Sequence, residues 1–177
     1  GIFQNQTEVN AHTDEYGTVI QPNAQPGDIR FKDLNHDGKL DDNDKTFIGN
    51  AFPDLMVGIN ARLAWKNIDF AANFYGTIGN DVYNTTKGRY SGVSGENVYA
   101  GTYNASWHGE GTSYDLPRLS YNDANQNWTR VSSFYVEDGS YLRCKQLQIG
   151  YTLPKKWTKK ISLRLSFSAQ NPFTITG

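Results

Sequence analysis

Residues 55–65, LMVGINARLAW, alternate without a break. Leu55, Val57, Ile59, Ala61, Leu63 and Trp65 fall on one side of an extended chain, and Met56, Gly58, Asn60, Arg62 and Ala64 on the other. A helix would scatter these two sets around its circumference, whereas a strand, whose side chains repeat every second residue, separates them cleanly. Lys66-Asn67 reads as a tight reversal. Beyond it Ile68, Phe70, Ala72 and Phe74 face one way and Asp69, Ala71, Asn73 and Tyr75 the other. The pattern predicts a hairpin with one apolar and one polar face.

The same period returns near the C-terminal end. Leu147, Ile149, Tyr151 and Leu153 share a side opposite Gln146, Gln148, Gly150 and Thr152, while Leu142 and Cys144 fall on the polar-side parity. This slip of phase near Lys145 predicts a bulge, or a strand leaving the apolar layer. After a short basic turn, 154–160 (PKKWTKK), the run ISLRLSFSA sets Ile161, Leu163, Leu165, Phe167 and Ala169 against Ser162, Arg164, Ser166 and Ser168. No helix of useful length and no internal repeat is visible. Gly1-Ile2-Phe3 and the GDIRFK stretch read as short strand pieces.

Between these runs lie two long segments, 4–54 and 79–140. The second holds seven of the eleven tyrosines together with Trp107 and Trp128. Ordinary connections have a median of about 4–6 residues, and so long a loop is functional or disordered. Its aromatic content argues against simple disorder.

The connections thus run long, short, long, short. In an up-and-down sheet that puts both long loops at one end and both turns at the other. Outer-membrane barrels have this asymmetry, with an apolar face toward lipid and a polar one toward the lumen. A soluble β-sandwich, with its apolar faces packed on each other, alternates in the same way and stays open on pattern alone. No run of about 18 apolar residues is present, so no transmembrane helix is expected. That does not exclude membrane strands, which need only about 9–11 residues each. A mean hydropathy of -0.64 fits such a barrel. The net charge of -1 gives no argument for nucleic acid or an anionic membrane surface. The single cysteine excludes an internal disulfide framework.

Residues 33–44, DLNHDGKLDDND, match the spacing of a twelve-residue calcium loop. Asp33, Asn35 and Asp37 stand at positions 1, 3 and 5, and Gly38 at the sharp turn of position 6. Lys39 would offer its carbonyl at 7, Asp41 stands at 9 and Asp44 at 12. Leu40 is the apolar anchor. Alternate oxygen donors converge as such a loop wraps a hard cation. The preceding stretch is not helical in pattern, and position 12 is Asp rather than the bidentate Glu. An Asx-rich surface turn holding no ion is the alternative. A bound calcium would be structural, neutralising crowded carboxylates and ordering the loop.

Nothing else in the chain assembles a reaction centre. His12, His36 and His108 are scattered and read as solvated, Glu137-Asp138 sits in a turn, and Cys144 reads as a packing or lipid-facing residue. No catalytic residue is identified, and the expectation is that the chain is not an enzyme. Trp107, Trp128 and the loop tyrosines could stack on sugar rings, knit the long loop, or join an interfacial belt. Trp65 and Trp157, beside Lys66 and Lys155-Lys156 at the short turns, fit the belt best.

Several blocks, in order, resemble the C-terminal region of the SusC/RagA family of TonB-dependent outer-membrane transporters. They are PGDIRFKDLNHDGKLDDNDKTFIGN, then NDVYN, SSFYVEDGSYLRCKQLQIGYTLPKKW and SLRLSFSAQNPFTITG, over most of residues 26–177. The resemblance implies an all-β fold of antiparallel up-and-down strands, part of a 22-stranded, plugged barrel in a bacterial outer membrane. Residues 1–177 would supply about five strands of it. The plug, the TonB-contacting segment, a signal peptide and the terminal strand would lie outside them, so that the chain is a fragment which transports nothing alone. The implied partners are a SusD-like surface lipoprotein, TonB, membrane lipid, and an oligosaccharide or peptide substrate. Segments 4–54 and 79–140 would be extracellular and the turns at 66–67 and 154–160 periplasmic. The reading from a different class is a secreted, soluble, calcium-dependent carbohydrate-binding β-domain. The two diverge on whether Leu55, Val57, Ile59, Leu63, Phe70 and Phe74 meet lipid or are buried.

Overall fold

The computed structural model describes residues 1–89, 95, 97–159 and 161–177. Residues 90–94 and 96 of the long second segment, and Lys160 of the basic turn, lie outside the described residues. The chain divides into two compact units. One is built from Gly1–Ile48 and Asn84–Tyr135 and the other from Gly49–Tyr83 and Val136–Gly177.

The second, the sheet unit, holds the four long strands. β1 (Leu55–Trp65) and β2 (Ile68–Ile78) form the hairpin around Lys66-Asn67. Lys66 takes a left-handed backbone, φ 55°, to make the reversal. A three-residue strand β3 (Asp81–Tyr83) pairs with β4 (Val136–Asp138) as a separate ladder. β5 (Tyr141–Thr152) and β6 (Arg164–Thr176) complete the main sheet in the order β1-β2-β5-β6, every pair antiparallel. The sheet therefore has four long strands where about five were expected.

The register settles the phase slip. Asn73 of β2 pairs with Gln146, but the next residue, Phe74, pairs with Cys144. Lys145 is the extra residue of a bulge, which returns Leu142 and Cys144 to the side of Leu147 and Ile149. The β5–β6 ladder is irregular at the same level: Gln146 pairs with Gln170 and Cys144 with Phe173, passing over Asn171 and Pro172. Pro172 has no N–H to give, and Asn171 sits at φ 48°. β6 nevertheless continues to Thr176, beyond the expected end at Ala169, and starts at Arg164 rather than Ile161. The basic turn contains a single helical turn, α4 (Lys155–Thr158).

In the other, the loop unit, the helices among the described residues are short: α1 (Gln6–Ala11), α2 (Thr86–Arg89) and α3 (Ala100–Ala105), with 3-10 turns at Asp42–Asp44 and Ser133–Tyr135. The stretches read as strand pieces meet only as one isolated bridge, Ile2 to Ile29. A single bridge cannot propagate because the Gly27-Asp28 and polar 4–7 neighbours leave the extended path at once. Phe3, Val9 and Ala24 form a small apolar cluster. Asn5 caps α1 by accepting from the Glu8 N–H at 3.0 Å, which fixes the helix so that Val9 points inward. Most of the remaining interior is polar. The Asp28 carboxylate is fully buried and accepts from Arg118 Nε at 2.6 Å and from Asn127 Nδ2 at 2.8 Å. Asn127, also fully buried, accepts from the Ile29 N–H at 2.8 Å, and Gln21 donates to Asn125 at 2.8 Å. These bonds join residues about a hundred apart in sequence.

Candidate functional site

The sheet has two faces of opposite chemistry, and the ladder register assigns every strand residue to one of them. On one face Leu63 pairs with Phe70, Phe70 with Ile149 and Ile149 with Phe167. At the far end Cys144 lies between Phe74 and Phe173, fully buried by them. That placement agrees with a packing role for the thiol. No charged residue stands on this face, yet Leu63, Phe167 and Trp65 are 67%, 69% and 68% exposed. The apolar face is thus continuous across four strands and, among the described residues, uncovered.

The other face is polar from end to end. Asn73 donates to Gln146 at 3.3 Å and Gln146 to Gln148 at 3.4 Å, so the amides form a chain along the sheet. Asp69 of β2 and Arg164 of β6 reach over the intervening β5 to form a two-pronged ion pair. They can do so because residue 150 is glycine. A Cβ there would stand 2.5 Å from Asp69 Oδ1. A groove of about 420 Å³ beside this pair is lined in part by Arg62, Asn73, Gln146 and Gln148. Lys66 lies 4.5 Å from the centre of the Trp65 ring at the short-turn end, an amphipathic pairing suited to an interface.

In the acidic loop the predicted ligands are only partly brought together. Asp33 is buried and its two oxygens accept the N–H groups of His36 (2.7 Å) and Gly38 (2.8 Å). Asp44 accepts from Leu34 and Asp41, each at 2.8 Å. Burial alone would push the Asp44 carboxyl up in pKa. The N–H groups of Asp41, Leu34 and Asn35, with the Asp33 side chain alongside, outweigh it and hold the group below its ordinary value. Positions 1 and 12 of the motif therefore meet. Asn35, Asp37, Lys39 and Asp41 are exposed, their side chains spent on local turns such as Asp37 to the Lys39 N–H at 2.9 Å. Among the described residues no three His, Cys, Asp or Glu side chains converge as a metal would require. Gly38 adopts φ 79°, and a Cβ on it would lie 2.7 Å from Asp14 Oδ2. Each carboxylate oxygen that takes one N–H keeps a further lone pair, so the donor types still suit a hard cation.

Of the histidines, His36 and His108 are exposed. His12 is not. Its Nε2 lies 3.1 Å from the Phe31 carbonyl and its ring packs on Phe3, and burial, with Arg30 near, lowers its pKa. Trp128 is buried, edge-on to Phe134 at 5.4 Å, and accepts through its carbonyl from the Tyr135 hydroxyl at 2.5 Å. It knits the loop unit, as one of its sequence readings held. The Asp28–Asn127–Arg118 network and the Asp69–Arg164 pair were not readable in advance, since each depends on a register or a long-range contact.

No family model matches the chain. It is 35% identical over 161 residues to TonB-dependent receptor P3 of Formosa agariphila, covering 89% of this chain and 15% of the relative. It is 24% identical over 184 residues to TonB-dependent receptor SusC of Bacteroides thetaiotaomicron, covering 97% and 18%. The chain thus spans under a fifth of the length of these relatives. Its fold matches the RagAB peptide importer in the open-open state with a TM-score of 0.55 at 22% identity, covering 72% of this chain and 14% of that one. The fold is accordingly the antiparallel all-β type found in these proteins. On sequence and fold together, the chain belongs with the SusC/RagA-like TonB-dependent receptors, one stretch of which it matches.

Proposed function

We propose that residues 55–78 and 141–176 are a section of barrel wall in an outer-membrane, TonB-dependent importer, with its apolar face toward lipid and its polar face toward an aqueous lumen. The carrying observation is the register. Strands of 11, 11, 12 and 13 residues keep one face free of charge through a bulge and two turns. About 9–11 tilted residues suffice to cross a bilayer. A soluble domain would have to bury Leu63 and Phe167, which stand two-thirds exposed.

On this reading the barrel, of 22 strands by resemblance, is completed by residues outside this chain. Segments 4–54 and 79–140 face outward and the turns at 66–67 and 154–160 face the periplasm. A SusD-like surface lipoprotein covers the mouth, TonB supplies energy through other parts of the receptor, and an oligosaccharide or peptide is carried. The chain contributes no catalysis. The loop at 33–44 holds a structural calcium ion through Asp33, Asn35, Asp37, the Lys39 carbonyl, Asp41 and Asp44. Ion binding would pull the exposed ligands in toward Asp33 and Asp44.

Cysteine labelling of the full-length receptor on whole cells tests the arrangement, in a Cys144→Ser background. An impermeant thiol reagent should label Asn104→Cys and leave Asn67→Cys untouched. The reverse pattern would invert the orientation, and labelling of both would remove the membrane.

A further inference from the structure

All five charged residues of the four long strands stand on the polar face: Arg62, Asp69, Arg143, Lys145 and Arg164. Lys145 is placed there by alternation from Cys144, and the bulge leaves it beside Gln146 on the same side. Four are cations and one is a carboxylate, and that carboxylate is taken by Arg164. Arg62, Arg143 and Lys145 are exposed and have no carboxylate partner among the described residues. A wall that carries three uncompensated cations attracts anions, and an arginine fork binds carboxylate or sulfate by two parallel hydrogen bonds.

The rest of the face narrows the class of anion. Asn73, Gln146 and Gln148 form a chain of amides, each able both to donate and to accept, as sugar hydroxyls do. Tyr75 and Tyr141 pair at a ring separation of 6.2 Å, and the Arg143 guanidinium lies 5.4 Å from the Tyr141 ring. Flat aromatic rings next to a cation suit a charged pyranose. Among the described residues the face offers little aliphatic surface to peptide side chains: Met56, Gly58 and Ala64 on β1, Ala71 on β2 and Gly150 on β5. We infer that this polar wall selects acidic oligosaccharides, with carboxylate or sulfate groups held at Arg62, Arg143 and Lys145 and hydroxyls at the amide chain. The inference rests on the import reading above and names the substrate class for the same surface.

The test is calorimetric titration of the full-length receptor in detergent with three probes of equal length. These are a galacturonic acid tetrasaccharide, a sulfated galactose tetrasaccharide and a neutral galactose tetrasaccharide. At least one acidic probe should bind about tenfold more tightly than the neutral one, and the preference should shrink as salt is raised. The variant R62Q/R143Q/K145Q should lose that preference while its neutral-sugar affinity changes by less than about twofold. Whichever acidic probe binds better identifies the group. Equal binding of all three probes, binding of none, or a preference that survives the triple substitution would overturn the inference. So would a tetraglutamate peptide that binds as tightly as the acidic sugars. If the triple variant does not fold, the salt dependence of the wild type and the single variants R62Q and K145Q decide the matter alone. Failure of the import reading is seen separately. In a Cys144→Ser background, a water-soluble thiol reagent that cannot reach Asn73→Cys from the lumen would reject an aqueous polar face, whatever the sugars do.

Discussion

The two units of this chain are held together by opposite means. The sheet unit has regular ladders and almost no interior: Leu63, Trp65 and Phe167 stand two-thirds exposed. The loop unit has little regular structure and a real interior, but a polar one, centred on Asp28 and Asn127 at zero exposure. Charge divides with them. The loop unit carries thirteen Asp and Glu against eight Lys and Arg, and the sheet unit five against nine. Regular backbone and a self-sufficient core are therefore separate properties. The first needs only period-two alternation. The second needs side chains that satisfy one another, and here those come from distant parts of the sequence.

The contrast is broken most directly by removing the amphiphile. Refolded from denaturant without detergent or lipid, residues 1–177 should run as aggregate on a sizing column, because an uncovered apolar face and open strand edges associate in water. A monodisperse monomer there would mean that the apolar face has found a cover within the chain.

Next in size is Asp28→Ala in the full-length receptor. It strands the Arg118 guanidinium and orphans the Asn127 amide, at a cost of about 3 kcal/mol. Hydrogen exchange should accelerate across 1–48 and 97–135 and stay unchanged in β1, β2, β5 and β6. Equal acceleration in the strands would show that the units are not independent.

A smaller effect separates the two faces of one strand. Leu147→Arg should destabilise the receptor in lipid vesicles by about 2–4 kcal/mol if that side meets hydrocarbon, while Gln148→Arg should cost under about 1 kcal/mol. Urea titrations of the two variants give the comparison, and equal costs would sink the lipid assignment.

The smallest effect concerns the acidic loop. The Asp44 carboxyl titrates below its ordinary value, so its contribution is present above that value and disappears as pH falls through the lowered one. Protease cutting within 33–44 should therefore rise in acid. At neutral pH, removal of divalent ions by a chelator should raise it too, and Asp33→Ala with Asp37→Ala should abolish the chelator's effect. Cutting that ignores the chelator in the wild type would leave an Asx-rich turn with no ion.

The same contrast explains what could be read from the sequence. β1 was legible to the residue, since nothing interrupts its alternation from Leu55 to Trp65. The bulge at Lys145 was legible because a single extra residue flips parity, and parity is a local property. The last third of β6 was not, since Asn171-Pro172 looks like a turn and is carried through the ladder only by its pairing with β5. In the loop unit NDANQNW shows no alternation from which burial could be read, yet Asn125 and Asn127 are buried by partners about a hundred residues away. In the acidic loop the spacing revealed the turn at Gly38 and the meeting of Asp33 with Asp44. It could not reveal that the exposed carboxylates close onto neighbouring N–H groups.

The bulge has a consequence for anyone recombining these receptors. The two halves of β5 are written in different frames, with residue 145 as the splice point. A chimera that joins a donor's loop-end half to this chain's turn-end half keeps its faces only if both cuts lie on the same side of the extra residue. Joined otherwise, the hybrid gains or loses one position, and everything from Tyr141 to Cys144 turns over. Arg143 would then stand among Phe74 and Phe173, putting a charge on the uncharged face through a junction that an alignment shows only as a one-residue gap.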